Sequence, residues 1–469
     1  MSKGSSDRLR RLPAIEKLVS DPSMESLRAS IPRSVLLQAA RCIVDDLRDR
    51  SSSGEMLADS DLSLQSILAA VREAALRMAR KSLRRAVNAT GIILHTGLGR
   101  AVLSDAARDA VMEVASGHST LEMDVESGSR GSRSSHYSDM LSQLCGAEAA
   151  LAVNNNAGAV LLALNTLAFD AEIIVSRGQL VEIGGSFRMP EIMSRAGARL
   201  VEVGTTNRTN ISDYERAITE KTAVLLRVHP SNFRIVGFAQ EASLSEIADL
   251  GRRYGITVMD DVGSGELLDL SSFGMHAEPL VAESLGAGSD IVTFSGDKLM
   301  GGPQAGLIVG RRDLVDAMAV NPLARALRLD KLVLAALEAT LRLYLEPDTV
   351  ATSIPSIHCM TRPSDEVARE AAQLKKKLDS LRLPDVYAEL RTGNSEVGSG
   401  SLPGEQIPTT LVAIIAADLS PDAIALAFRH NDPPIFGRVA DGAFLLDLRT
   451  ILHGELDQIV CAASGVFRN

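Results

Sequence analysis

The 469-residue chain has no apolar run near the roughly 18 residues needed to cross a bilayer, so neither a spanning helix nor a membrane partner is expected. Its opening, MSKGSSDRLRRLP, has no apolar stretch of the kind found in a secretory signal, and the cytoplasm is the expected compartment. Cysteine is scarce and scattered: Cys42, Cys145, Cys359 and Cys461 form no CxxC pair. That spacing fits free thiols in a reducing compartment better than a metal cluster or a disulfide frame, and no metal site is expected. The order GxxxxGK[ST] is absent, which excludes a P-loop. The GxG at Gly97 and Gly99 has neither the third glycine nor the downstream acid of a dinucleotide turn. No internal repeat is present.

What is there begins with size. A chain of this length exceeds what one hydrophobic core usually holds, so two or three domains are expected. The formal charge of -10 argues against nucleic-acid binding by the chain as a whole. The balance is uneven, however. Residues 1–85 hold 16 Lys and Arg against 11 Asp and Glu, and the remainder holds 33 against 48. A basic segment on an acidic body suits phosphate contacts made by one module, and a solvated helical face explains it equally well.

The first 85 residues read as short helices, in LPAIEKLV, IPRSVLLQAARCIVDDLRDR and LSLQSILAAVREAALRMARKSLRR, with a linker at Ser51 to Glu55. After Arg85, short β-rich runs alternate with amphipathic helices: AALAVNN, AEIIVSR, ARLVEVG, TAVLLRV, ITVMDD, DIVTFS and AGLIVGR. This succession predicts an α/β fold with a mostly parallel sheet covered on both faces, whose ligands gather at the carboxyl ends of the strands. A long helix from Leu323 to Leu345 is expected next. An α+β part with the strands TTLVAIIAA and GAFLLDLRTI follows, and GNSEVGSGSLPGEQ reads as a mobile loop.

Four strand ends carry residues suited to one chemistry. VTFSGDKLMGGPQAG presents Lys298 after an apolar strand in a glycine-rich turn, with Ser295 three residues earlier as a phosphate partner. An enclosed ammonium loses its proton readily and can form a Schiff base, although a surface loop lysine is the commoner meaning of such a segment. In LAVNNNAGAVLLAL a strand runs into Asn154, Asn155, Asn156 and Ala157 at a helix start, where backbone amides can cradle a phosphate, or where an Asn simply caps the helix. ITVMDDVGSG offers Asp260 and Asp261 to hold a pyridine nitrogen protonated, unless they mark a solvated turn. RVHPSNFRIVGF offers Asn232 to a ring oxygen. Phosphate cradle, ring-oxygen donor, aspartate and lysine follow one another in the order of the aspartate aminotransferase-like fold, the type I fold of pyridoxal 5'-phosphate (PLP) enzymes.

The resemblance is closer than a fold. NATGIILHTGLGRA, LAVNNNAGAVLL, VSRGQLVEIGGSFRMPEIM, VEVGTTNRT, FSGDKLMGGPQAG and NPLARALRLDKLVLAALEATLRLYL are similar to blocks of the bacterial selenocysteine synthase family, the L-seryl-tRNA(Sec) selenium transferases. The likeness runs from RLRRLPAIEKLV to at least Arg342. It implies PLP as cofactor, Lys298 as the Schiff-base lysine preceded by Asp297, and Asp261 as the family's aspartate. It also implies an arginine cluster of Arg100, Arg325 and Arg328 for selenophosphate, with Arg130 and Arg133 as additional candidates. Guanidinium forks suit that anion, and the spacing of Arg325 and Arg328 predicts one shared helical face. Gly97 stands where the family commonly has Asn.

By the same resemblance, seryl-tRNA(Sec) becomes selenocysteinyl-tRNA(Sec) through an aminoacrylyl intermediate. The chain is then expected to comprise a tRNA-binding helical domain (1–80), a catalytic domain (81–335) and a small C-terminal domain (336–469), in a homo-oligomer built from dimers, a decamer in the family. The competing expectations are a related PLP lyase acting on a small amino acid or amino sugar phosphate, and a noncatalytic RNA-binding protein.

Overall fold

The computed structural model describes residues 12–53, 57–183, 187–230, 233, 235, 237–276 and 278–468. The chain divides into two compact units, Met1–Arg85 and Ala86–Asn469.

In the first unit, helices α1 (Ile15–Ser20), α2 (Glu25–Ser30), α3 (Arg33–Ser52) and α4 (Leu64–Ala79) follow the apolar spacing of the sequence. Leu36, Ala39, Val44 and Leu47 of α3 share a core with Ile67, Val71 and Ala75 of α4 and with Leu18 of α1. Ser63 starts α4 by accepting the Ser66 amide. The linker expected at Ser51 to Glu55 is helical through Ser52, and residues 54–56 lie outside the described residues.

The second unit is built on a seven-stranded sheet: β1 (Ala149–Val153), β2 (Glu172–Ser176), β3 (Arg199–Val203), β4 (Thr222–Val228), β5 (Thr257–Gly263), β6 (Ile291–Ser295) and β7 (Gly306–Gly310). Their spatial order is β1-β7-β6-β5-β4-β2-β3. Every strand runs parallel to the rest except β7, which is antiparallel to both neighbours. All five residues of β6 and of β7 are buried, as expected of a sheet covered on both faces and of runs that are apolar without alternation. The carboxyl ends of β1, β4, β5 and β6 therefore share one edge with the start of β7, and the turn joining β6 to β7 carries Lys298 there. Helix α5 (Asn156–Leu167) leaves β1 at the same edge.

The helix expected from Leu323 to Leu345 is two helices, α6 (Pro322–Ala326) and α7 (Lys331–Leu343). The Leu327 carbonyl accepts the Asn154 amide instead of continuing the helical ladder, and the Asp330 carboxylate caps α7 through the amides of Leu332 and Val333. A tertiary bond and a cap thus outweigh a continuous apolar pattern.

C-terminal strands β8 (Val386–Ser395), β9 (Ile407–Ala416), β10 (Arg438–Ala440) and β11 (Ala443–Asp447) form an antiparallel sheet in the order β8-β9-β11-β10. Val367, Leu374, Val412, Phe428 and Phe444 fill its core. Val87 and Asn88 pair in parallel with Ile435 and Phe436, so both ends of this unit meet. The segment expected to be a mobile loop is a packed strap. Its first residues complete β8, Val397, Ser401 and Leu402 are buried, and the carbonyls of Glu396 and Val397 accept the amides of Ile93 and Leu94. Gly398, Gly400 and Gly404 have positive φ, so the glycines make tight turns there.

Candidate functional site

The strand edge encloses a cavity of about 450 Å³. Asn155, Asn156 and Ala157 line it from the start of α5, Val228 and His229 from the end of β4, and Asp261 and Gly263 from β5. Ser295, Asp297, Lys298 and Gln304 come from β6 and the turn after it, and Thr96, Arg100, Ser399 and Gly400 close the remainder. The structure therefore brings together Lys298, Asp261, Asn155, Asn156, Ala157, Ser295 and Arg100. Asn232 lies outside the described residues, as do Arg8, Arg10 and Arg11.

The start of α5 is built to receive an anion. The Asn155 side chain caps the helix by accepting the Gly158 amide at 2.8 Å. The amides of Asn156 and Ala157 come too early in the helix to have intrahelical partners. A Cβ at Gly306 would fall 2.0 Å from the Asn155 carbonyl oxygen, so only glycine lets β7 pass beneath this turn.

Adjacent aspartates on β5 face opposite ways, as strand alternation requires. Asp261 looks into the cavity, where its Oδ1 accepts the Asn156 side-chain Nδ2 at 2.8 Å and the Thr293 hydroxyl at 2.9 Å. Burial raises its pKa, against the lowering effect of those two bonds and of Lys298. Asp260 turns away and pairs with Arg227, both oxygens at 3.1 Å.

Lys298 is 5% exposed. Burial pushes its pKa down and the Arg100 guanidinium pushes it further, against the pull of Asp261, Asp297 and Glu278. Arg100 has φ +62° and bonds Asp297 at 2.8 Å. The cavity thus holds an amine biased toward its neutral, nucleophilic form, a buried acid, and a helix start suited to phosphate.

The other arginines lie elsewhere. Arg325 is exposed near the end of α6, Arg328 is beyond it in a bridge to Val153, and neither is among the residues lining the cavity. The shared helical face expected for them fails because α6 stops at Ala326. Arg328, Arg130 and Arg133 instead surround Glu122, at 4.0, 2.6 and 2.7 Å. Hydrogen bonds from Arg133 and then Arg130 hold the Glu122 carboxyl down at about 2.

Comparison with known proteins places this geometry. The family model described as L-seryl-tRNA selenium transferase matches residues 86–452, and that described as selenocysteine synthase N terminal matches residues 9–48. The L-seryl-tRNA(Sec) selenium transferase of Moorella thermoacetica is 48% identical over 455 residues, covering 97% of this chain and 96% of its own. The chain belongs to the L-seryl-tRNA selenium transferase family. A second member, from Geobacter metallireducens, is 46% identical over 97% of this chain and 98% of its own. Among solved structures, a D-glucosaminate-6-phosphate ammonia-lyase at 20% identity has a TM-score of 0.54 and covers 82% of this chain and 96% of its own. That likeness is one of fold, the aspartate aminotransferase-like arrangement seen here. In this member of the selenium transferase family, sequence reading missed His229, Glu278 and Glu266. His229 Nε2 lies 2.9 Å from the buried Glu278 Oε2. Glu266 is 1% exposed and accepts the Leu270 amide at 2.9 Å, and burial, reinforced by Glu278, raises its pKa to about 7. The sole sequence signal was the strand-end position of His229, beside residues already selected.

Proposed function

We propose that this selenium transferase converts seryl-tRNA(Sec) to selenocysteinyl-tRNA(Sec) with selenophosphate as donor. The observation that carries the reading is the buried, deprotonation-prone Lys298 facing Asp261 and the start of α5 across one cavity. The residues fit PLP. The buried Oδ1 of Asn156 has no partner among the described residues, the first amides of α5 have no intrahelical partners, and Gly306 keeps clear the turn that would hold a phosphate.

Lys298 would hold the cofactor, Asp261 its ring nitrogen, Asn155, Asn156, Ala157 and Ser295 its phosphate, and Asn232 its ring oxygen. When bound, PLP supplies an electron sink for the electron pair left at the serine α-carbon. Lys298 Nζ, released to the cavity, takes the α-proton. Thr293 and Asn156 keep the Asp261 carboxylate aimed, and the strap at Ser399 and Gly400 walls off water. Arg100, Arg325 and Arg328 would receive the selenophosphate anion, in an assembly of several copies built from dimers.

The test is direct. Purified protein incubated with PLP, seryl-tRNA(Sec) and radioselenium-labelled selenophosphate should yield label on tRNA, released by mild alkali as selenocysteine; unlabelled tRNA beside an active control enzyme would refute the reading. The basic unit 1–85 is proposed as the tRNA-recognising module, reading shape and backbone. A chain beginning at Ala86 should keep the cofactor absorbance and lose about tenfold or more in tRNA affinity by filter binding.

A further inference from the structure

We infer that β8 is an interface strand, extended by a second copy of this chain whose own β8 pairs antiparallel to it about a two-fold axis at Leu390. The inference goes beyond the selenium-transfer reading and uses none of the residues that line the cavity.

β8 runs for ten residues at the edge of the C-terminal sheet, with β9 on one side of it. In an antiparallel ladder, alternate residues turn both backbone groups toward the same neighbour. The Asp385 carbonyl accepts the Ala417 amide, so the odd-numbered residues of β8 face β9. The even-numbered side is the outer one, where the amide and carbonyl of Glu396 bond Gly91 and Ile93. Earlier in the strand the amides and carbonyls of Ala388, Leu390 and Thr392 point the same way, with no backbone partner among the described residues. Natural edge strands are usually short, bulged or covered. This one is long and keeps its register throughout, and Tyr387 and Leu390 are 55% and 42% exposed on it.

The side chains select the partner. Outward groups must meet outward groups, so the two-fold registers that keep Ala388 to Thr392 paired centre on Glu389, Leu390 or Arg391. A centre on Glu389 or Arg391 sets that residue against its own copy, like charge against like. A centre on Leu390 sets Glu389 against the partner's Arg391, and Arg391 against the partner's Glu389, in the closer, non-hydrogen-bonded positions. Within one chain these two side chains already bond each other at 2.7 Å, so the pairing lengthens an ion ladder that is in place.

The remaining positions agree with that register. Tyr387 lies opposite Gly393, which has no side chain to obstruct the ring. Ala388 lies opposite Thr392, and Leu390 is covered by its own copy, each pair exchanging both backbone bonds. The two four-stranded sheets become one. A surface that is its own complement closes as a pair and does not propagate.

A strand pair buries less than a standard interface of roughly 1,600 Å², so the contact is expected to be reversible and the test traps it. In the full chain carrying C42S and C461S, which remove the exposed thiols, L390C sets two cysteines about 5.5 Å apart at Cα, within disulfide range. T392C sets them more than about 13 Å apart. Under mild oxidation L390C should form a linked dimer at least about tenfold faster than T392C, read on a non-reducing gel that does not depend on turnover. Adding E389R or R391E to L390C should slow the linking about tenfold, and E389R with R391E should restore it to within about twofold. Equal rates for L390C and T392C, or a double reversal as slow as the single ones, would overturn the assignment.

Discussion

Lys298 and Glu122 both sit beside arginines, and the comparison shows how burial decides what an arginine does. In the cavity the Lys298 ammonium has lost its hydration, so burial dominates its titration and the nearby Arg100 adds repulsion. Away from the cavity lining, Glu122 keeps partial access to water, and hydrogen bonds from Arg133 and Arg130 dominate, holding it ionised. One region uses desolvation to make a reactive neutral group, and the other uses pairing to hold an anion. Arg130, Arg133 and Arg328 thus already have a carboxylate partner within the chain.

The sharpest way to break the comparison is to remove the desolvated amine. Lys298→Ala should abolish the visible cofactor absorbance and cut selenocysteinyl-tRNA formation by roughly 10⁴-fold; a variant with normal colour and turnover would dismiss the cavity as the site. The paired aspartates of β5 come next. Asp261→Asn should cost about 10³-fold in turnover, the scale of a lost electrostatic partner. Asp260→Asn should leave the cavity chemistry intact and destabilise the fold by about 3 kcal/mol, because Arg227 loses its buried partner. Paired measurements of turnover and urea unfolding separate the two.

On the arginine side, Arg325→Ala or Arg328→Ala should weaken use of selenophosphate by about 2 to 4 kcal/mol in the transition state while the cofactor absorbance persists. Steady-state kinetics at varied selenophosphate reads this, and loss of colour would show that these residues serve the cofactor instead.

The smallest effects concern pH. Glu266 binds its proton more tightly in the folded chain, so its contribution is full below pH about 4.5 and is lost as pH rises to about 7. Glu266→Gln should flatten that decline, worth about 2 kcal/mol, in unfolding curves taken at pH 5 and pH 8. Glu122 has the opposite sign. Its folded pKa is depressed, so its contribution is present above pH about 4.5 and fades toward about 2, and Glu122→Gln should remove that part of the acid-side loss.

Strand ends were the legible part of this chain. AALAV, TVMDD and IVTFS each carry enough apolar residues to mark a buried strand, and whatever follows such a strand in an α/β sheet stands at the ligand edge. Lys298, Asp261 and the Asn155 to Ala157 turn were found that way. Contacts made at long range were not legible. The expected single helix is broken where the Leu327 carbonyl is taken by Asn154, and Asp330 caps a new one; glycine-rich composition in the strap looked like freedom although the turns there are packed. His229 and Glu278 meet by folding, without any spacing to announce them.

The strap has a further consequence, for the order in which the protein is made. Thr96 and Arg100 stand near the beginning of the second unit, Lys298 in its middle, and Ser399 and Gly400 close to its end, yet all face one cavity. A nascent chain that has already folded β1 through β7 owns its lysine, its aspartate and its helix start while one wall is still unsynthesised. The strap closes that wall by accepting the amides of Ile93 and Leu94. The cavity is therefore complete only in a chain that extends through the strap.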